Sequence, residues 1–259
     1  MEIVGQRKLI NELKSYSTTN FPQSILLVGE SGSGKNTIVS YISLLLGLDV
    51  IKLDKDCDKN SIYNDPLQHI YSIDLEDITE KDQNSLLKIV EEPPINCYLV
   101  LMCNHINLTL ETIRNRCRIF FLEPYTIEEL KTFTNRKDLD LSIFRTPGQL
   151  INFNFNTLEI TSDLANKLVH KVDKANLPNT LTVADKFNYK DDYDKIDLNI
   201  FLNAFLNETK NEYLKVNDLK CFNYYKLAID LKFRLVDKRF SKRNLVESFL
   251  IDLWGESRK

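Results

Sequence analysis

Several things are missing from this 259-residue chain. No apolar run approaches the roughly 18 residues that a membrane span needs. The opening residues Glu2-Ile3-Val4-Gly5-Gln6 show no basic-then-apolar signal pattern and no lipidation signal. The expectation is a soluble, cytoplasmic protein with no membrane partner. The cysteines, Cys57, Cys97, Cys103, Cys117 and Cys221, are odd in number and contain no C-x-x-C. That spacing excludes a disulfide framework and a zinc ribbon, so reduced, mostly packed thiols and no zinc are expected. His69, His105 and His170 are far apart and have no Cys or acidic partner at a metal-ligand spacing, which reads as structural or exposed histidine. Excess charge of one sign is absent too. With 34 basic against 37 acidic side chains the formal net charge is −3, so nucleic acid cannot be held by bulk electrostatics and any DNA contact must be local. Residues 220–243, with eight Lys or Arg against two acids, are the one basic stretch, and a solvated helix face is the simpler reading.

What is present is enough apolar material for packed cores, at 43% hydrophobic and 10% aromatic residues, in a length suited to about two domains. Five short β-like runs occupy the first half: Ile25–Val28, Val50–Leu53, Ile70–Ile73, Tyr98–Met102 and Ile119–Leu122. Helical spacing of apolar residues separates them, in Lys8–Ser15, Thr37–Leu46 and Gln83–Val90, the last stopped by Pro93-Pro94. The alternation predicts a parallel α/β sheet. From Thr126 onward the pattern is helical, over Ile127–Phe133, after Pro147-Gly148, and over Ser162–Val172. Residues 173–197 turn polar and acidic, with Asp191-Asp192-Tyr193-Asp194, and read as a linker. Three helical stretches follow, the clearest carrying Leu245, Val246, Phe249, Leu250, Leu253 and Trp254 on one face. Their dense aromatics suit either one small core or a subunit interface.

Glycine is scarce, only seven in all, yet three fall in six residues behind the first strand. Gly29-Glu30-Ser31-Gly32-Ser33-Gly34-Lys35 fits G-x-x-x-x-G-K, between a strand and a helix. Its glycines let backbone N–H groups and the helix N-terminus face phosphate oxygens, and Lys35 adds a point charge. The following hydroxyl that ligates Mg²⁺ in such loops is replaced by Asn36. Thr37 lies about 100° further round the helix and cannot simply substitute. Asp74, at the end of the third strand run, has the placement of a metal-holding carboxylate. Leu75 stands where a Glu would orient the attacking water, and Glu76 and Asp77 project differently. The alternative reading of Asp74 is a strand-end turn or helix cap.

Further along come Thr79 to Val90, then Glu91-Glu92-Pro93-Pro94, the strand Tyr98–Met102, Cys103-Asn104, and Arg114-Asn115-Arg116-Cys117-Arg118. In that order these segments resemble the clamp-loader branch of the AAA+ ATPases, the bacterial DNA polymerase III delta-prime/gamma family and, more distantly, replication factor C. Ile3-Val4-Gly5-Gln6 is similar to the family's adenine-side segment and Pro147-Gly148-Gln149-Leu150 to its lid turn. The resemblance covers residues 1 to about 172 well. It implies an α/β P-loop AAA+ domain with a parallel five-stranded sheet over residues 1–122, a helical lid over 123–176, and a linker with a helical oligomerisation collar over 177–259. It further implies ATP and Mg as cofactors. Val4, Gly29, Glu30, Ser31, Gly32, Ser33, Gly34, Lys35, Asn36, Thr37, Asp74 and Asn104 would bind nucleotide, with Asn36 and Asp74 as a weak Mg site. Arg116 would act in trans on a neighbour's nucleotide, and Gln83 resembles a glutamine coupling DNA contact to the catalytic Glu. The implied partners are other clamp-loader subunits, a sliding clamp and primer-template DNA.

The departures fall unevenly. Leu75, Asn36 and the absence of an arginine after Pro147-Gly148 weaken this chain's own site, and Asn115 replaces the motif's Ser, while Arg116 remains. The pattern resembles the delta-prime subunit, which donates its arginine without hydrolysing ATP. That subunit usually carries a four-cysteine zinc module, whereas the corresponding interval here is short and has only Cys57. The alternatives are an ATP-hydrolysing loader motor using Glu76 or Asp77, a stand-alone P-loop small-molecule kinase, and a scaffold that binds neither nucleotide nor DNA.

Overall fold

The computed structural model describes the chain apart from residues 1–2, 18, 55–59, 64, 77, 96, 137–138, 190–194 and 238; Cys57, Asp77 and the run Asp191–Asp194 therefore lie outside the described residues. Two compact units make up the chain: Met1–Thr134 with Thr146–Gly148, and Asn135–Arg145 with Gln149–Lys259.

In the first unit, β1 (Ser24–Val28), β2 (Val50–Leu53), β3 (His69–Asp74), β4 (Cys97–Cys103) and β5 (Arg118–Phe121) form one sheet in the order β2-β3-β4-β1-β5. Every pairing is parallel. Each strand begins and ends within one residue of the apolar run expected from sequence. Parallel strands are joined by crossovers that cover both faces, so the central ones must be apolar throughout; β1 and β4 are buried at every position. Alternate side chains divide between two cores. Ile25, Leu27, Tyr98, Val100 and Met102 pack with Leu9 and Leu13 of α1 (Arg7–Ser15) and Ile38 and Ile42 of α2 (Lys35–Leu46). Leu26, Val28, Leu99 and Leu101 pack with Leu86, Ile89 and Val90 of α3 (Glu80–Glu91). Thr79 caps α3 by accepting the Asp82 N–H at 3.3 Å.

The second unit is helical. Its long members are α4 (Leu158–Lys171), α5 (Leu198–Val216), α6 (Leu219–Arg234) and α7 (Lys242–Ser257). Asp197, Asp218 and Ser241 cap the last three by accepting backbone N–H groups. Asn217, left-handed at φ 54°, ends α5 and lets α6 restart almost at once. Phe187, Phe201 and Phe205 are fully buried, and the rings of Phe187 and Phe201 meet at a tilt of 58° with centroids 4.7 Å apart. The dense aromatics of this region divide: Tyr224 and Phe249 are also inside, whereas Phe233 and Phe240 are 74% and 56% exposed. The span read as a linker is packed where it is described. Short turns at Val172–Lys174, Leu177–Leu181 and Thr182–Lys186 bury Val183 and Ala184, and Trp254 Nε1 donates to the Ala175 carbonyl at 2.9 Å. Polarity there lies on outward faces of short turns, which an average over the window mistakes for a loop. Among the described residues no helix is long and apolar enough to cross a membrane.

Candidate phosphate site and surface arginine

Ligand sites of open α/β sheets form beyond the carboxyl ends of the strands, where the order reverses. Here that place is the end of β1 beside β4, and the Gly29–Lys35 loop occupies it. Gly32 and Gly34 adopt φ +76° and +93°, backbone that L side chains rarely take. A Cβ on Gly29 would lie 2.8 Å from both Leu122 Cβ and Ser33 Oγ, so glycine is required there by space. The Gly29 N–H donates to the Cys103 carbonyl at 3.1 Å, tying the loop to β4. Ser33 is 3% exposed and its Oγ has no hydrogen-bond partner among the described residues. Curled glycine backbone, a helix N-terminus and an orphaned hydroxyl are a donor set suited to phosphate oxygens.

Lys35 reaches back over this loop. Its Nζ donates to the carbonyls of Gly29 at 2.7 Å and Glu30 at 3.3 Å, and to Asn104 Oδ1 at 2.6 Å. Burial lowers its pKa, while the charges of Asp74 and Glu76 act in the opposite sense. Asn104, just past β4, is fixed from its other side by donating its N–H to Glu76 Oε1 at 2.7 Å. Glu76 donates its own N–H to Asp74 Oδ1 at 3.0 Å, so Asp74 makes a strand-end turn. Lys35, Asp74, Glu76 and Asn104 thus form one electrostatic cluster. Leu75 does not belong to it: 1% exposed, its side chain is packed in the core with Leu86 and Ile113. The potential Mg donors are Asp74 and Asn36, one carboxylate and one amide, both exposed. Asn36 thus presents an amide oxygen on a longer side chain where such loops present a hydroxyl, and Asp74 is the one charged ligand of the pair. Thr37 is exposed beside Asn36, Glu30 is half-buried, and Val4 is half-buried next to the left-handed Gly5-Gln6 pair. Gln6 bridges to the exit of β5, donating to the Glu123 carbonyl at 2.7 Å and accepting the Glu123 N–H at 2.8 Å.

Three contacts at the site have no signature in the sequence. Tyr125 donates its hydroxyl to the Ser33 carbonyl at 3.2 Å. Thr146 donates its hydroxyl to the Ser31 carbonyl at 2.9 Å, and the Gly148 N–H donates to the Gly32 carbonyl at 3.0 Å. A Cβ on Gly148 would stand 2.4 Å from Gly32 Cα, so Thr146 and the first residues of the short helix Pro147–Ile151 lie backbone to backbone on the phosphate loop. Gln83, 2% exposed, spends its amide on the chain just after β4, donating to the Leu108 carbonyl at 2.8 Å and accepting the Leu110 N–H at 3.0 Å. Arg116 is at the surface, joined to Glu91 and to the Thr112 carbonyl. Most basic side chains of the 220–243 stretch have partners: Lys232 on Asn203, Arg234 on Asp230, Arg239 on Asp237, Lys226 over the Phe222 ring.

A family profile described as DNA polymerase III, delta subunit, matches residues 48–126, the span from β2 through α3 and Arg116 to the exit of β5. The replication factor C small subunit of Methanococcus maripaludis is 24% identical over 205 residues, 66% of this chain and 65% of that protein. The protein of the same description from Haloarcula marismortui is 23% identical over 164 residues, 54% of this chain and 50% of its own. This chain is similar, over part of its length, to clamp-loader AAA+ proteins. It spans about half to two thirds of the length of those curated relatives. A solved DNA polymerase III gamma subunit-related protein from Thermotoga maritima aligns over 97% of this chain and 99% of its own at 14% identity, with a TM-score of 0.40. The profile and the curated relatives give no support to the small-molecule kinase. The parallel five-stranded sheet with its phosphate loop, followed by a helical C-terminal region, is the expected AAA+ architecture.

Proposed function

We propose that this chain works in a replicative clamp loader as a delta-prime-like subunit, with residues 1–122 as its AAA+ domain, 123–176 as lid, and 177–259 as a collar that joins it to the other subunits. It helps open a sliding clamp and load it on primer-template DNA. Its own site binds ATP and Mg weakly or not at all and hydrolyses poorly, and Arg116 serves the nucleotide of a neighbouring subunit in trans. The observation that carries this reading is Leu75: where hydrolysis needs a carboxylate facing the phosphate site, the chain has an alkyl group sealed in its core. Arg116 stays at the surface, and a guanidinium delivered to a transferring phosphoryl group is worth about 10³ or more in rate. The test is ATP turnover by the reconstituted loader with clamp and primed DNA. Arg116→Ala lowers turnover by about 10³ while Lys35→Ala leaves it unchanged; the opposite ranking overturns the reading.

One observation favours a second reading, an ATP-hydrolysing motor subunit. Glu76 hydrogen-bonds the Asn104 N–H and its charge acts on Lys35, so a carboxylate is within the cluster although the expected one is missing. In that case Glu76→Gln and Lys35→Ala both abolish hydrolysis by this subunit.

A further inference from the structure

His170 is 38 and 42 residues from Glu208 and Glu212 in the sequence, but the second unit brings both to it. Near the C-terminal end of α4, its Nε2 lies 3.0 Å from Glu208 Oε1 and 4.0 Å from Glu212 Oε2, both on α5. The three donor atoms all fall within 4.8 Å of one another. We infer that His170, Glu208 and Glu212 form a binding site for one divalent cation of the zinc class, which clips α4 to α5.

The separations suit such an ion. Zinc bound at about 2.0–2.1 Å from nitrogen and 2.0–2.2 Å from carboxylate oxygen, in tetrahedral geometry, holds its ligand atoms roughly 3.3 Å apart. The observed separations from His170 Nε2, 3.0 and 4.0 Å, bracket that spacing. The donor set, one imidazole and two carboxylates, is the mixed N/O environment that borderline cations take and that Mg²⁺ does not favour. Charge points the same way. Glu208 and Glu212 are four residues apart on one helix face, where like charges are unfavourable, and Lys215 offsets this only from the Glu212 side. A ring N–H can serve one carboxylate well; at 4.0 Å the second is beyond hydrogen-bond reach. Both carboxylates are also oriented from outside. Asn166, one turn before His170, donates to Glu208 Oε1 at 3.3 Å, and Lys215 Nζ lies 3.6 Å from Glu212 Oε2. Such outer partners hold ligating groups in place. The three side chains are 22–33% exposed, which leaves coordination positions open to water.

The probe is Co²⁺, whose visible bands distinguish sulfur ligands from N/O ligands, titrated into the full chain stripped with EDTA. Wild type takes up one equivalent with weak d–d bands and no thiolate charge-transfer band. His170→Gln and the double variant E208Q/E212Q each lose affinity at least tenfold, and Zn²⁺ raises the Tm of wild type but not of His170→Gln. The proposal is overturned by no uptake at millimolar Co²⁺, by variants that bind as wild type does, or by a thiolate band. Because the two variants remove ligands from different helices, misfolding of one leaves the other to decide.

Discussion

Arg116 and Glu91 face each other side-on: Nε lies 3.2 Å from Oε2 and Nη2 3.3 Å from Oε1, while Nη1 donates to the Thr112 carbonyl at 2.9 Å. The pair joins the end of the Glu-Glu-Pro-Pro helix to the arginine run. It is paired at both nitrogens yet half in water, with side chains 35% and 56% exposed, so solvent screens it. It holds the guanidinium in a defined place and releases it at little cost. Glu91→Gln is expected to change the unfolding free energy by less than about 1 kcal/mol in urea denaturation. If Arg116 serves a neighbouring subunit as proposed, turnover in the reconstituted loader then stays at or above wild type, because the arginine no longer has to leave a carboxylate.

Restoring the missing carboxylate at position 75 is expected to fail. The side chain there is sealed among Leu86, Ile89 and Ile113, and an ionised Glu would be buried without a partner. Leu75→Glu should cost at least about 3 kcal/mol of stability, combining lost packing with desolvation, and should give no gain in ATP turnover. A stable, hydrolysing Leu75→Glu variant would show that the side chain can swing out of the core toward the phosphate site.

Gln83 has a structural task whatever its part in DNA contact. Its amide closes a two-point link to the carbonyl of Leu108 and the N–H of Leu110, and it is buried. Gln83→Ala takes the partner from two half-buried backbone groups and should cost about 1–3 kcal/mol, read by urea denaturation of the isolated chain. Gln83→Glu retains the acceptor toward Leu110 but places a carboxylate against the Leu108 carbonyl, and should be no better.

What could be read from the chain depended on how far apart the interacting residues lie. Strands β1 and β4 are unbroken apolar runs because both faces are covered, and Gly29, Gly32 and Gly34 declare themselves in a chain with so few glycines. These are local signals with a short-range cause. The pairing of Arg116 with Glu91 spans 25 residues, that of His170 with Glu208 spans 38, and the seat of Thr146 on Ser31 spans 115. No periodicity encodes such contacts. The packed turns between Val172 and Lys186 were hidden for another reason. Short turns expose most of their side chains, so composition records the exposed majority while Val183, Ala184 and Phe187 do the burying.

The thiols supply a pH dependence with a definite sign. Burial pushes Cys97 and Cys117 up from the usual value of 9.0 to about 12. In the unfolded chain both ionise near the ordinary value, whereas the folded chain keeps its protons to higher pH, so between about 9 and 12 the unfolded state binds fewer protons. Stability is therefore fully present below pH 9 and falls as pH rises through that window. Urea midpoints measured from pH 8 to 11 should decline, and the decline should shrink in a Cys97→Ala/Cys117→Ala variant compared with its own value at pH 8. The same burial makes both thiols slow toward a disulfide reagent at pH 8, where the thiolate is the reacting species. Rapid labelling of either one under native conditions would mean that β4 or the turn before β5 opens far more readily than its packing implies.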